Sequence, residues 1–154
     1  MYEYRCKIVR IIDGDTVVVD IDLGFDIWLK DESVRFLGMD APEVRTRDQV
    51  EKLFGEISKA YVEKMIPVGS MQIVKTERPN SRGKFGRVLG TFRIYDEKTD
   101  RWTSLSEVMI REGYGVAYEG GNREALRESL LGARKKLIET GVVKMTLEEA
   151  GLTK

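Results

Sequence analysis

The sequence contains no histidine, and Cys6 is its only cysteine. Without histidine there is no imidazole for a zinc site, a Ser-His pair or a general base that titrates near neutrality. One cysteine cannot form an internal disulfide and gives no Cys-ligated zinc or iron–sulfur centre. It lies in a predicted strand, where a small buried hydrophobe is the expected role. Net charge is missing too: 26 Lys and Arg balance 26 Asp and Glu, so there is no basic coat of the kind that binds nucleic acid through bulk charge. No run of residues is apolar for long enough to cross a bilayer, and no signal-peptide core follows Met1-Tyr2-Glu3-Tyr4-Arg5. The expectation is a cytoplasmic protein without a membrane partner; secretion from a longer precursor is left open. Any acid–base chemistry falls to carboxylates, lysine, arginine, tyrosine or a metal-bound water.

What is present suits one folded domain. The 154 residues are 42% hydrophobic and 34% charged, enough apolar content for a core and too much for a disordered chain. Residues 5–12 are rich in Ile and Val, and Asp13-Gly14 marks a tight turn. Residues 16–23 alternate, with Val17, Val19, Ile21 and Leu23 on one face. A short strand is expected over 25–30, a turn at Lys30-Asp31-Glu32-Ser33, and a strand over 34–39. Residues 44–52 have no period and read as a loop. From Leu53, Phe54, Ile57, Tyr61 and Met65 recur at helical spacing, ended by Pro67-Val68-Gly69. Strands follow over 71–76 and 88–95, with a further extended piece near Trp102. A short helix stops at Gly113. A longer one opens after Gly120-Gly121-Asn122, with Leu126, Leu130, Ala133 and Leu137 as its buried stripe and Gly141 at its end. Strands mostly precede helices, so a small antiparallel barrel with two or three packed helices is the natural solution. The whole chain, 1–154, is read as one domain, with a core over about 4–140 and a tail over 141–154.

Three segments carry chemistry. They are Asp13-Gly14-Asp15-Thr16, the run Arg35 to Glu43, and the basic loop Gly83-Lys84-Phe85-Gly86-Arg87. Pro42 lacks the N–H that a sheet ladder needs, so the second segment leaves its strand by Ala41 and delivers Asp40 and Glu43 to a strand end. Taken singly, these are a hairpin turn, a surface ion pair and a solvated loop. Brought together, they make a site of carboxylates for a hard cation and arginines for a phosphate. That combination suits phosphodiester hydrolysis. Asp15 and Asp40 would hold the cation, Glu43 would take a proton from water or orient it, and Arg35 and Arg87 would stabilise the developing charge.

In these segments the chain resembles the staphylococcal (thermo)nuclease family. Ile12-Asp13-Gly14-Asp15-Thr16-Val17 is similar to its first signature, Arg35 with Asp40, Pro42 and Glu43 to the second, and Gly86-Arg87 to the third. The likeness runs from about Tyr4 to about Leu137. It implies an α+β fold, a five-stranded OB-type barrel with about three helices. It also implies a calcium-dependent endonuclease that cuts DNA and RNA with little sequence preference and leaves 3′-phosphate ends. Single-stranded or locally unpaired substrate is favoured, and the chain is expected to act as a monomer. By position, Asp15, Asp40 and the backbone carbonyl of Ala41 correspond to the calcium ligands, with magnesium or manganese left open. Arg35, Glu43 and Arg87 correspond to the catalytic residues, and Asp13 to an outer carboxylate that reaches the ion through water. Lys84, Phe85 and Tyr118 correspond to substrate-binding positions. Gly83 and Phe85 depart from the family's acidic residue and tyrosine, and Phe85 can stack on a base but not donate a hydroxyl. Tyr114 is a further cleft candidate, whereas Trp28 and Trp102 are not selected as stacking platforms. The alternative is a binding module, a catalytically silent barrel that recognises nucleic acid or protein.

Overall fold

The structure, a computed structural model, describes residues 2–77, 86–118 and 120–152. Five strands close on themselves. Strand β1 (Tyr2–Asp13) is long because it serves two neighbours, β2 (Thr16–Asp22) and β5 (Met71–Thr76). Breaks in its register with β2, between Ile8 and Arg10 and between Ile11 and Asp13, add the bend that a small barrel requires. Strand β3 (Trp28–Phe36) pairs antiparallel with β2, and β6 (Val88–Asp96) pairs antiparallel with β5. The ring closes where β3 runs parallel to β6, with Val34 opposite Val88, Arg35 opposite Leu89 and Phe36 opposite Gly90. The expected OB-like barrel is therefore present. Strand β7 (Arg101–Ser104) extends it as a hairpin on β6.

Inside lie Cys6, Ile8, Val17, Val19, Val34, Phe36, Val74 and Phe92, with Val62 and Ile66 of helix α1 (Gln49–Met65) and Leu105 and Met109 of helix α2 (Leu105–Glu112). Each such side chain contributes about 2 kcal/mol through burial. A smaller cluster joins Phe54 of α1, Leu137 of helix α3 (Arg123–Glu139), and Val143 and Ala150 of the tail. Among the described residues no helix is long and apolar enough to cross a membrane.

Several boundaries differ from expectation. Helix α1 begins at Gln49, inside the stretch expected to be loop, because Asp48 accepts hydrogen bonds from the N–H groups of Val50 and Glu51 at 3.0 and 3.1 Å. Residues 25–27 form a turn instead of a strand. Leu23 N–H donates to the Ile27 carbonyl at 2.8 Å, and Leu23 points out, 43% exposed. Residues 30–33 form no turn: β3 runs through them, and the register slip between Val19 and Ile21 absorbs the irregularity at Asp31, whose N–H donates to Asp20. The strand expected over 34–39 breaks at Leu37-Gly38 and resumes as β4 (Met39–Asp40), paired with β8 (Val116–Ala117). In α3 only Leu137 of the predicted stripe is fully buried; Leu126, Leu130 and Ala133 are half-buried.

Candidate active site

The ladder between β2 and β3 assembles the site. Thr16 stands opposite Arg35, and the Asp15 carbonyl accepts from Phe36 N–H at 2.8 Å, so Asp15 and Arg35 lie on neighbouring strand ends. Because the chain turns back at Gly38, β4 brings Asp40 to the same guanidinium. Arg35 Nη2 donates to Asp40 Oδ1 at 2.8 Å and stands 3.6 Å from Asp15 Oδ2. Arg35 Nη1 donates to the carbonyls of Met39 at 2.6 Å and Phe36 at 3.2 Å, which fixes the plane of the group. Asp15 is held in turn by Ala41 N–H on Oδ2 at 3.0 Å and by the Thr16 hydroxyl on Oδ1 at 2.9 Å.

Asp15, Arg35, Asp40 and the backbone N–H of Ala41 thus meet. One guanidinium serves two carboxylates and leaves an excess of negative charge. Burial, then the neighbouring Asp15, push the Asp40 carboxyl up to about 7 against the opposing pull of Arg35.

Helix α1 sets the second half of the site. A Cβ on Gly55 would lie 2.4 Å from the Glu43 carbonyl oxygen, and one on Gly14 would lie 2.7 Å from Ser58 Cβ. Both glycines are what let the helix press on the β1–β2 turn and on the segment after Pro42. Ser58 donates its hydroxyl to the Tyr114 carbonyl at 2.6 Å, so the same helix anchors the segment that leads into β8, the partner of β4. Glu43 is left with an exposed side chain. Partial burial raises its pKa, and the carboxylates of Glu51, Asp13 and Asp15 add to the rise. Asp13 accepts from Val44 N–H at 3.3 Å; burial raises its pKa as well, partly offset by that hydrogen bond.

Arg87 is half-buried immediately before β6, whose first residue, Val88, pairs with Val34 beside Arg35. Tyr118 N–H donates to the Gly38 carbonyl at 2.9 Å, which puts Tyr118 at the turn between β3 and β4. Tyr114 is half-buried and packs against the core, its ring stacked on Tyr61 with centroids 4.0 Å apart. Lys84 and Phe85 lie outside the described residues. The positioning roles of Gly55 and Ser58 escape a reading by residue type, because only the helix-to-loop distance reveals them.

Among the described residues no group of three or more carboxylate, cysteine or histidine side chains is arranged to hold a metal ion. Two close carboxylates with surplus negative charge and a neighbouring carbonyl do fit a hard cation that keeps part of its water shell.

The model of the staphylococcal nuclease homologue family matches residues 33–139, and the chain belongs to that family. The match spans Arg35, Asp40, Glu43 and Arg87 but begins after the Asp13–Asp15 turn, which β-pairing joins to it. The chain is 31% identical over 131 residues to protein ParB of Escherichia coli, covering 83% of this chain and 65% of that one. It is 30% identical over 105 residues to endonuclease YncB of Bacillus subtilis, covering 68% and 46%. With the thermonuclease of Staphylococcus intermedius it shares 28% over 88 residues, covering 57% and 48%. The chain therefore spans less than two thirds of the length of each of these relatives.

Proposed function

We propose that this chain is a calcium-dependent endonuclease that hydrolyses DNA and RNA with little sequence preference and leaves 3′-phosphate and 5′-hydroxyl ends. The observation that carries the reading is the Asp15–Arg35–Asp40 cluster, with Glu43 three residues beyond Asp40. Asp15, Asp40 and the Ala41 carbonyl would hold the cation, and Asp13 would reach it through water. When bound, the ion supplies charge neutralisation and polarisation of the phosphoryl group. Glu43 takes a proton from the attacking water, and its raised pKa brings it closer to the neutral range where a carboxylate base works best. The water oxygen bonds to phosphorus as the bond to the 5′ oxygen breaks, and that oxygen leaves with a proton. Arg35 has five N–H donors, of which Phe36, Met39 and Asp40 occupy three. The remaining two, of which the second Nη2–H faces Asp15, act with the Arg87 guanidinium to stabilise charge on the phosphoryl oxygens. Substrate is single-stranded or locally unpaired, the chain acts as a monomer, and the cytoplasm is the proposed compartment.

A second reading, a nucleic-acid-binding module with little catalysis, draws on one observation: Arg35 is seated on the very carboxylates a cation would need. Calcium titration separates the two. The nuclease reading expects cleavage of single-stranded DNA and of RNA that rises with calcium, stops with EDTA and yields 3′-phosphate ends. Tight binding without cleavage under calcium, magnesium and manganese alike would replace it with the module.

A further inference from the structure

We infer that the outer face of β6 and the β6–β7 hairpin form a second binding surface, a groove that takes the single strand of nucleic acid running out of the cleft. The inference rests on the nuclease-family reading of the cleft and extends it to the path of the substrate.

Along β6 the even-numbered residues Val88, Gly90, Phe92 and Ile94 face the core. The odd-numbered set, Leu89, Thr91, Arg93 and Tyr95, faces outward in line with Arg87. Leu89 is the partner of Arg35, so this row starts at the site. From Arg87 to Arg93 it runs about 20 Å, the length of roughly six stacked nucleotides. It opens into a groove of about 860 Å³ that begins at Leu37 and Thr91 and ends at Arg101 and Trp102.

The chemistry of the groove suits a strand of bases and phosphates. Trp102 is 60% exposed, far more than a structural indole needs. It is nonetheless held in place: the Arg93 guanidinium lies 4.8 Å from its ring centroid, and Tyr95 meets it edge-on at 5.5 Å. A fixed, exposed aromatic of this kind stacks any base. Lys75 and Arg101, with Arg93, offer cations for the backbone.

Three carboxylates also line the groove and rule out a purely electrostatic track. Glu3 is 4.0 Å from Arg93, Glu107 accepts from the Thr103 hydroxyl, and Glu77 sits beyond the end of β5. Mixed charge of this kind weakens binding of a bare polyanion and leaves stacking on Trp102 as the main contribution. A strand whose bases are paired cannot stack there, which is why the occupant is single-stranded.

The test uses the full chain carrying Trp28→Phe, so that Trp102 is the only indole. In EDTA, oligothymidylate of about ten nucleotides is expected to quench Trp102 fluorescence, and a dinucleotide is not. Under calcium, Trp102→Ala is expected to raise KM for the longer strand about tenfold, the loss of one stacked base. It leaves kcat and the KM for the dinucleotide unchanged, and Trp102→Phe restores most of the loss. Unchanged KM in Trp102→Ala together with no quenching, while the parent still cleaves, would overturn the groove and leave the nuclease standing. Quenching by a mixed-charge peptide but not by the oligonucleotide would also overturn it, in favour of a protein-docking face. Length-dependent quenching without any cleavage would support the groove and reject the nuclease.

Discussion

Arg35 and Asp40 meet at 2.8 Å while the same guanidinium nitrogen stands 3.6 Å from Asp15, so a single arginine faces two carboxylates, one from the β1–β2 turn and one from β4. The pairing is mostly shielded from water, with Arg35 17% exposed and Asp15 10% exposed at the side chain. Truncating the arginine leaves two neighbouring anions without their counter-charge, although Asp15 keeps its hydrogen bonds from Ala41 N–H and the Thr16 hydroxyl. Arg35→Gln is therefore expected to lower stability by about 2–3 kcal/mol at about pH 8, less than the roughly 3–5 kcal/mol for breaking a fully buried pair because this one keeps some contact with water. The same change is expected to cost about 10²–10³ in kcat through the lost donor. Calcium should restore more stability to Arg35→Gln than to the parent, read as a shift in Tm. An equal shift in both proteins would mean that the carboxylates do not share a cation.

The raised pKa of Asp40 gives the metal-free protein a pH signature. Asp40 holds its proton to about 7 in the folded chain and loses it near 4 when unfolded. Between those values the folded state binds more protons, so stability falls as pH rises from about 4 to about 7 and is level above. Thermal melts in EDTA should show this decline from about pH 5 to about pH 7.5, and Asp40→Asn should flatten it. An identical slope in both proteins would place the titration elsewhere.

Gly55 tests whether α1 positions Glu43. A methyl group there would lie 2.4 Å from the Glu43 carbonyl oxygen, a backbone atom that cannot rotate away. Gly55→Ala should destabilise the fold by about 1–3 kcal/mol through overpacking. Its kcat should fall further than that of Ala60→Gly, a helix substitution at an exposed position of α1 that serves as control. Equal losses would reduce Gly55 to a packing residue.

Legibility in the sequence followed the range of the forces involved. Alternation placed β2, and the Gly113 and Gly120-Gly121-Asn122 signals bounded α2 and α3, because those are decided within a few residues. The Lys30–Ser33 stretch was misread because the β2–β3 register slip between Val19 and Ile21 decides its environment, and Leu23 because the turn closed by the Ile27 carbonyl takes it out of the strand. Asp15, Arg35 and Asp40 could be named as candidates from residue type and order alone. That Arg35 sits on both carboxylates could not, since it depends on the break at Gly38 and on the β4–β8 pairing. Trp102 looked ordinary in sequence: its exposure and its contact with Arg93 exist only once β6 and β7 form a hairpin.

The central claim, that the acidic and basic residues of this cleft form a hydrolytic site, is tested most directly at Glu43. Single-turnover cleavage of a single-stranded DNA oligonucleotide should be compared for the parent and Glu43→Gln at saturating calcium. The account predicts a rate lower by about 10²–10⁴ in Glu43→Gln, the range for loss of a general base, with calcium and substrate affinities unchanged. Equal rates in the two proteins would contradict it.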